Sequence, residues 1–199
     1  MRVGATIEIP IFPLGTVLYP GGMLPLRVFE QRYLDLTKCC IRDNSPFGVC
    51  LIREGMEVGA AAVPHAVGCT ARIAHWDMPH LGLFHLVTRG ESVFRILEQW
   101  TAKNGLVQAQ VELDDPAPPL PLPEAYKDLG ELLQKIIAKV GAERFPAPAR
   151  LDLAGWVGYR LAEVLPLEVE SKQRLLEARD PIAALSEVKV FLQSRQVVL

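Results

Sequence analysis

Hydrophobic and polar residues alternate with a period of two along much of the first half of the chain. Ile7, Ile9 and Ile11 alternate with other residues near its start, and residues 107–113 alternate even more regularly. Because the side chains of a β-strand point to its two faces in turn, this pattern predicts strands with one buried face. Further strands are predicted at residues 47–53, 67–76, 83–88 and 93–97.

Two segments interrupt these strands. The Pro-Gly-Gly sequence at 20–22 predicts a tight turn, because proline fixes φ and glycine permits a positive φ. Farther along, apolar residues recur at the spacings that place them on one buried face of a helix. The residues of this face are Phe29, Tyr33, Leu36 and Cys40. The helix is predicted to end at the helix-breaking residues 43–46.

The second half of the chain has the helical period throughout. Residues 116–123 are rich in proline, which cannot occupy a helix interior or a central strand, and they predict a stiff connector. About four helices are predicted after it, with Asp152 as the cap of one of them and Asp180-Pro181 as the start of the last. The predicted organisation is a β-rich part at 1–115, a connector at 116–123 and a helical bundle at 124–199. This is an α+β chain.

The strands at 67–76 and 83–88 are predicted to form a hairpin with its turn at residues 78–82. Apolar residues cluster at this end of the hairpin, and they are candidates for a peptide-binding surface because exposed apolar patches often contact a partner. These candidates are Trp76, Met78, Leu81, Leu83 and Phe84. In the alternative, the hairpin folds onto the helical half and Trp76 belongs to the core.

Composition and charge narrow the function classes. The chain has 199 residues, 50% of them hydrophobic and 22% charged, with a formal net charge of −2. A nucleic-acid binder normally carries a concentrated basic excess, so this balance argues against one. The absence of a long apolar run or a secretory signal predicts a cytoplasmic chain that does not contact a membrane. The four cysteines are not expected to form disulfides in that compartment.

The sequence contains no phosphate-binding loop, no dinucleotide fingerprint, no zinc-protease motif and no nucleophile elbow. Neither a catalytic residue nor a cofactor is therefore predicted. One enzymatic alternative stays open, because imidazole and carboxylate groups around the predicted hairpin resemble a set of divalent-metal ligands. They are His75, Asp77, His80 and His85. In the competing interpretation Asp77 and His80 lie in a solvated turn.

Charged residues surround the start of the predicted first helix. Arg27 and Arg32, with Glu30 between them, could form the polar rim of a binding site. The two arginines are therefore added to the candidates for peptide binding. In the alternative, these residues form ion pairs that join the helix start to a neighbouring strand.

Several motifs, in this order, resemble the N-terminal substrate-binding domain of the Lon proteases. They are Ile-Pro-Ile-Phe-Pro-Leu-Gly at 9–15, Val-Leu-Tyr-Pro-Gly at 17–21, Leu-Pro-Leu-Arg-Val-Phe-Glu at 24–30 with Arg32-Tyr33, residues 67–73, Gly90 with Phe-Arg-Ile at 94–96, and Asp180-Pro181. The resemblance implies a six-stranded pseudo-barrel of the PUA-like kind, followed by a helical bundle. It also implies a free-standing version of the domain, without the ATPase and serine–lysine peptidase.

The resemblance favours a non-catalytic module that binds unfolded or tagged polypeptides, or one specific protein partner. Two alternatives stay open: a small metal-dependent hydrolase built on the histidine hairpin, and an RNA binder suggested only by the PUA-like fold. The turn at residues 78–84 replaces the acidic, glycine-containing turn common in the proteases. If that turn helps to choose substrates, the specificity of the proteases does not carry over to this chain.

Overall fold

The computed structural model describes residues 5–115 and 118–195. The chain divides into two compact units, Met1–Pro116 and Ala117–Leu199. The first two residues of the predicted connector, Pro116 and Ala117, lie outside the described residues. The predicted boundaries at 115 and 124 stay a prediction, and each unit is described by itself below.

The first unit is a sheet with one helix. Most of its strands lie where the sequence predicts strands, although the two-residue strand at 63–64 was not predicted. Residues 107–111 alternate between buried and more exposed positions as predicted, whereas residues 47–51 and 67–71 are buried on both faces of their strands. The strands are β1 (Thr6–Leu14), β2 (Met23–Val28), β3 (Phe47–Glu54), β4 (Val63–Pro64), β5 (Val67–His80), β6 (Leu83–Thr101) and β7 (Val107–Leu113), and the helix is α1 (Gln31–Asp43).

The strand order closes the sheet into a barrel. The neighbours run β1-β7-β6-β5-β3, and β1 also pairs with β3 in parallel, which completes the ring. β2 pairs with the first part of β6, and the two-residue β4 pairs with β3. The inward residues of β1 and β7, Ile9, Ile11, Ala109 and Val111, are buried as their alternation predicts. The predicted α+β class, with a barrel-like sheet and one helix in its first part, is confirmed.

The predicted turn at 20–22 is confirmed. The Gly22 N–H donates to the Tyr19 carbonyl at 2.9 Å, and Gly21 has a φ of 73°, which favours glycine. The turn rests on Gly90 of β6, which donates to the Gly22 carbonyl at 2.9 Å and accepts from the Gly21 N–H at 2.8 Å. A Cβ at position 90 would overlap the carbonyl oxygen of Tyr19, so this close approach requires glycine.

The prediction for Phe29 was wrong. Tyr33, Leu36 and Cys40 form the buried face of α1, but the helix begins at Gln31 and Phe29 precedes its N-cap, Glu30. The Phe29 side chain is 57% exposed. The periodicity was misleading because β2 ends at Val28, which leaves Phe29 in the extended connection between the strand and the helix.

The hairpin of β5 and β6 is longer and tighter than predicted. Its turn is Leu81-Gly82, closed by the pairing of His80 with Leu83, and Gly82 has a φ of 83°. Met78, Asp77 and His80 are therefore strand residues and not turn residues. The two predicted strands at 83–88 and 93–97 form the single strand β6, because Gly90 permits a close contact instead of ending the strand.

The second unit is helical, as predicted. Its helices are α2 (Lys127–Val140), α3 (Ala154–Val164), α4 (Val169–Ala178) and α5 (Pro181–Ser194). Their apolar faces are buried, with Leu129, Leu133, Val157, Leu161 and Leu185 all fully enclosed. Helices this short are marginal in isolation, so most of their stability comes from packing these faces.

The two predicted helix caps have opposite outcomes. The Asp180 carboxylate accepts a hydrogen bond of 2.9 Å from the Ile182 N–H, which confirms it as the cap of α5. Asp152 does not cap α3, whose N-cap is Leu153. Its carboxylate accepts instead from the Arg150 guanidinium at 3.0 Å, a stronger charged partner within reach.

The Asp180→Ala variant is expected to be less stable by about 1 kcal/mol, because it leaves a backbone N–H at the start of α5 without its acceptor. Thermal unfolding followed by circular dichroism measures this loss. The matched control is Asp152→Ala, which removes an exposed ion pair but no cap and should have a smaller effect. Equal losses in the two variants would contradict the role of Asp180 as a cap.

A buried ion pair lies inside the second unit. Arg160 of α3 is 1% exposed, and its Nε and Nη2 atoms each lie 2.6 Å from a carboxylate oxygen of Glu163. The two residues are three apart, so they share one face of the helix. The pair compensates a guanidinium that packing has removed from water.

Candidate functional site

An apolar cavity of about 390 Å³ opens beside β2, on the face of the strand that continues into the core. Leu24, Leu26 and Val28 reach it from β2, because alternate side chains of a strand share a face. The remaining walls come from β1, α1 and the loop between β3 and β4. These lining residues are Phe12, Leu14, Thr16, Phe29, Glu30, Tyr33, Glu57 and Val58, with Pro25 and Arg27 at the edge.

Two apolar side chains stand at the mouth of this cavity in contact with water. Phe29 is 57% exposed and Val58 is 54% exposed. The loop that carries Val58 is tied to the end of β1, because the Glu57 carboxylate accepts a hydrogen bond of 2.5 Å from the Gly15 N–H. An apolar cavity with exposed apolar residues at its mouth is the arrangement expected of a site that takes an apolar group.

The buried phenol of Tyr33 belongs to the cavity lining. The ring of Tyr33 stacks on that of Phe12, with ring centroids 3.9 Å apart. Burial raises the pKa of the Tyr33 phenol, while the neighbouring Arg32 guanidinium acts in the opposite direction. The phenol is therefore neutral at ordinary pH, and the stacked rings give the cavity a rigid aromatic floor.

The hairpin candidates divide into exposed and buried residues. Leu81 at the turn is 96% exposed, and Trp76 and Met78 are 46% and 44% exposed. Phe84 is buried and packs edge-to-face against Trp76 at 5.8 Å, and Leu83 is partly buried. Trp76 is thus not a core residue, and Phe84 supports it from beneath.

The register of the strands connects Trp76 with the apolar cavity. Trp76 lies opposite Leu86 of β6, which in turn lies opposite Leu26 of β2. Residues directly opposite each other in an antiparallel pair have side chains on the same face, about 5 Å apart. One apolar row therefore runs from the cavity at Leu26 to the exposed indole of Trp76.

The two candidate arginines have different environments. Arg32 is 7% exposed, with its Nη2 atom 3.0 Å from Glu30 and its Nη1 donating to the Gly105 carbonyl at 3.1 Å. A hydrogen bond therefore joins the start of α1 to the turn between β6 and β7, while the ion pair with Glu30 lies within the helix start and does not reach a neighbouring strand. Arg27 is exposed and lines the apolar cavity.

A second cavity, of about 450 Å³, lies on the opposite face of the same strands. Across it Arg27, His85 and Asp77 form one row, and Pro25, Val87 and His75 form the next. The cavity is lined by these six residues and by Leu26 and Leu86. Arg27, His75, Asp77 and His85 reach this cavity because strand alternation places them on the face that turns away from the core, where they lie among the apolar residues Pro25 and Val87.

The predicted metal set is not assembled. His75, Asp77 and His85 line the second cavity, but His80 lies beyond it at the end of β5. Within residues 5–115 and 118–195, no group of three or more histidine, cysteine, aspartate or glutamate side chains is arranged to hold a metal ion. The geometry therefore does not favour the metal-dependent hydrolase.

The cysteine thiols lie apart from both cavities. Cys40, Cys50 and Cys69 are buried, Cys39 is exposed, and all four are free. Burial raises the pKa of the Cys40 and Cys50 thiols, which keeps them in the unreactive protonated form.

Known proteins resemble this chain over both of its units. Residues 8–194 match the family model of the substrate-binding domain of the ATP-dependent protease La, or LON. The chain belongs to the LON substrate-binding domain family. The resemblance inferred from the opening motifs is therefore confirmed, and it extends over nearly the whole chain.

Solved structures share the fold of this LON domain. A Lon N-terminal domain protein from Xanthomonas campestris is 37% identical, with a TM-score of 0.76 over 92% of this chain and 98% of that one. The N-terminal domain of the Mycobacterium avium complex Lon protease is 16% identical, with a TM-score of 0.61 over 92% and 96% of the two chains. The second likeness concerns the fold alone.

Relatives of full protease length also match. The Lon protease of Anaeromyxobacter dehalogenans is 25% identical over 96% of this chain, and Lon protease 2 of Myxococcus xanthus is 28% identical over the same share. The chain spans 24% of the length of each of these proteases. Among the described residues, no helix has both the length and the apolar character needed to cross a membrane.

The sequence alone did not identify the cavity beside β2. Phe29 was assigned to the buried face of a helix, and Glu57 and Val58 lay in a loop without a recognised role. One signal was available: Leu24, Leu26 and Val28 alternate with Pro25 and Arg27, as in a strand whose two faces differ. What lies over those faces depends on residues distant in the chain.

Proposed function

We propose that this LON domain is a non-catalytic module that binds unfolded or tagged polypeptides, or one specific protein partner. The observation that carries the proposal is the apolar cavity beside β2 in a member of a substrate-binding family, with Phe29 and Val58 exposed at its mouth. Unfolded chains expose apolar side chains that folded proteins bury, and such a cavity selects for them.

The exposed hairpin enlarges this proposed surface. The apolar row from Leu26 through Leu86 to Trp76 leads away from the cavity, and Met78 and Leu81 continue the exposed apolar surface toward the turn. Leu86 is buried, so a bound chain would contact the cavity and the exposed residues Trp76, Met78 and Leu81 as separate apolar contacts. Several such contacts are needed, because one apolar side chain alone supplies little affinity. Binding of this kind requires neither ATP nor a cofactor.

A polypeptide is a better partner for this surface than a nucleic acid. The whole chain has a formal net charge of −2, and the apolar cavity has two carboxylates, those of Glu30 and Glu57, in its lining. A phosphate backbone requires a concentrated basic surface, whereas this lining combines the two carboxylates with the single cation of Arg27. A polypeptide can bind without a basic surface.

We expect saturable binding of reduced and alkylated α-lactalbumin, a permanently unfolded probe, measured by fluorescence anisotropy without ATP. The Phe29→Ala variant should bind about tenfold more weakly, since loss of a central aromatic contact costs on the order of 1–2 kcal/mol. The matched control is Leu97→Ala, because Leu97 is also an exposed apolar residue, at 53%, and lies outside both cavities. Absence of saturable binding, or equal weakening in both variants, would contradict the proposal.

A further inference from the structure

One edge of β2 is open. The strand pairs with β6 along its whole length, Met23 opposite Arg89 through Val28 opposite Phe84. Within the part of the chain that the structure describes, β2 has no second partner strand. An open edge presents backbone N–H and C=O groups that can pair with another chain.

The register shows which backbone groups face this edge. In an antiparallel pair, opposite residues alternate between those that exchange backbone hydrogen bonds and those that do not. The Gly90 N–H donates to the Gly22 carbonyl, so the pair of Gly22 with Gly90 is hydrogen-bonded. Every second pair along β2 is of the same kind, so Leu24 and Leu26 also direct their backbone groups toward β6. Met23, Pro25 and Arg27 therefore direct theirs outward. Pro25 can occupy this position because its missing N–H faces the open side.

The two cavities lie on either side of this open edge. Pro25, Leu26 and Arg27 line both of them, so both cavities meet at the middle of β2. A strand added next to β2 would direct alternate side chains into the two cavities, because alternate residues of a strand point to opposite faces. One set would enter the apolar cavity and the other would enter the cavity lined by Arg27, His75, Asp77 and His85.

The charge of Arg27 indicates which side chains of an added strand would enter the second cavity. Of the two charged residues in the second cavity, Arg27 lies on β2 at the open edge, and Asp77 lies two strand spacings away on β5, with His85 between them. No ion pair to the Arg27 guanidinium occurs within residues 5–115 and 118–195. A carboxylate on an added strand would be the first anion within reach of Arg27, and arginine binds carboxylates in a bidentate manner.

We propose that a bound polypeptide joins the sheet as an additional strand along β2, with apolar residues in the apolar cavity and acidic residues between them against Arg27. This inference rests on the proposed function and specifies its substrate class: an extended segment in which apolar and acidic residues alternate. Backbone hydrogen bonds supply affinity that does not depend on sequence, and the two cavities supply the preference.

The first test compares two labelled peptides of one composition. The probes are fluorescein-labelled Leu-Glu-Leu-Glu-Leu-Glu-Leu and its block isomer Leu-Leu-Leu-Leu-Glu-Glu-Glu, at concentrations where both are monomeric. The alternating peptide is expected to bind at least tenfold more tightly. Only an alternating order places leucines in the apolar cavity and glutamates against Arg27 along the same strand. Equal affinities would overturn the alternating preference.

The second test identifies the backbone pairing directly. Residue-resolved amide hydrogen exchange, measured by NMR, should show fast exchange at Met23 and Arg27 and slow exchange at Leu24 and Leu26 in the free protein. Saturation with the alternating peptide should slow exchange at Met23 and Arg27 by at least tenfold. Binding without that protection would overturn strand addition and leave the proposed function intact, whereas absence of binding to every probe would count against both.

The third test concerns the charge. Arg27→Glu should weaken binding of the alternating Leu-Glu peptide by at least tenfold and should strengthen binding of the corresponding Leu-Lys peptide. The matched control is Arg95→Glu, because Arg95 is also exposed on β6 but lies outside both cavities. Equal effects of the two substitutions would show general charge attraction and overturn the role of Arg27.

Discussion

The Gly90→Ala variant is expected to lose about 3 kcal/mol of unfolding free energy, because the added Cβ overlaps the carbonyl oxygen of Tyr19. A backbone oxygen cannot rotate away as a flexible side chain can. Tyr19 is fully buried, and the turn that follows it is hydrogen-bonded on both sides to Gly90. Relief of the overlap therefore requires the turn to move away from β6.

This displacement should also reach the proposed binding site, because the turn leads directly into β2. We expect Gly90→Ala to weaken binding of the unfolded probe even at temperatures where the variant is folded. Urea denaturation followed by circular dichroism measures the first effect, and fluorescence anisotropy measures the second.

The control for Gly90→Ala is the same substitution at Gly155, in the first turn of α3. There the nearest atom to an added Cβ is Cγ of Pro181, at 3.6 Å, which is an ordinary contact. Alanine favours the helix over glycine, so Gly155→Ala should leave stability unchanged or raise it by up to about 1 kcal/mol. If both variants lost the same stability, the close approach of Gly90 to Tyr19 would not be the cause.

The Glu163→Gln variant is expected to destabilise the helical unit by about 3 kcal/mol. Glutamine has almost the same shape as glutamate but no charge, and it removes the carboxylate charge that lies 2.6 Å from both Nε and Nη2 of the buried Arg160 guanidinium. Arg160 is 1% exposed and cannot reach water without disrupting the packing of α3. Chemical denaturation followed by circular dichroism measures the loss.

Simultaneous replacement of both members of the pair provides the control. Arg160→Met with Glu163→Gln removes the buried charge as well as its partner, and it should recover most of the stability lost in Glu163→Gln alone. A double variant as unstable as the single one would show that the pair acts through shape and not through charge compensation.

The two predicted helix caps show that a local sequence pattern does not always predict a capping hydrogen bond. Asp180 and Asp152 each precede an apolar helical stretch, and both were predicted to cap it. Asp180 does so, because Pro181 fixes the first helical φ and the carboxylate has its backbone donor within reach. Asp152 has Arg150 two residues away, and the charged partner takes the carboxylate instead. The result depends on a competition that spacing alone does not reveal.

Arg27 and Arg32 of the candidate site also have environments that their spacing in the sequence does not reveal. They are five residues apart, and the sequence offered both as candidates for one binding rim. Arg32 lies in the first turn of α1 and reaches Glu30 and the carbonyl of Gly105, so it is buried. Arg27 lies on β2, on the face that turns away from the core, and remains exposed. The difference arises partly from the contact of Arg32 with Gly105, which is 73 residues away in the chain.

The alternating strands at the start of the chain and at 107–113, the turn at 20–22, the helical second half and the family could all be predicted from the sequence. These features depend on neighbouring residues and on periods of two or 3.6, which are visible in a short window. Three features became visible only in the folded chain: the pairing of β1 with β3 that closes the barrel, the position of Phe29 at the mouth of a cavity, and the open edge of β2 between two cavities. Each depends on contacts between residues far apart in the chain, and such contacts leave no periodic signal because they are set by how the whole sheet closes.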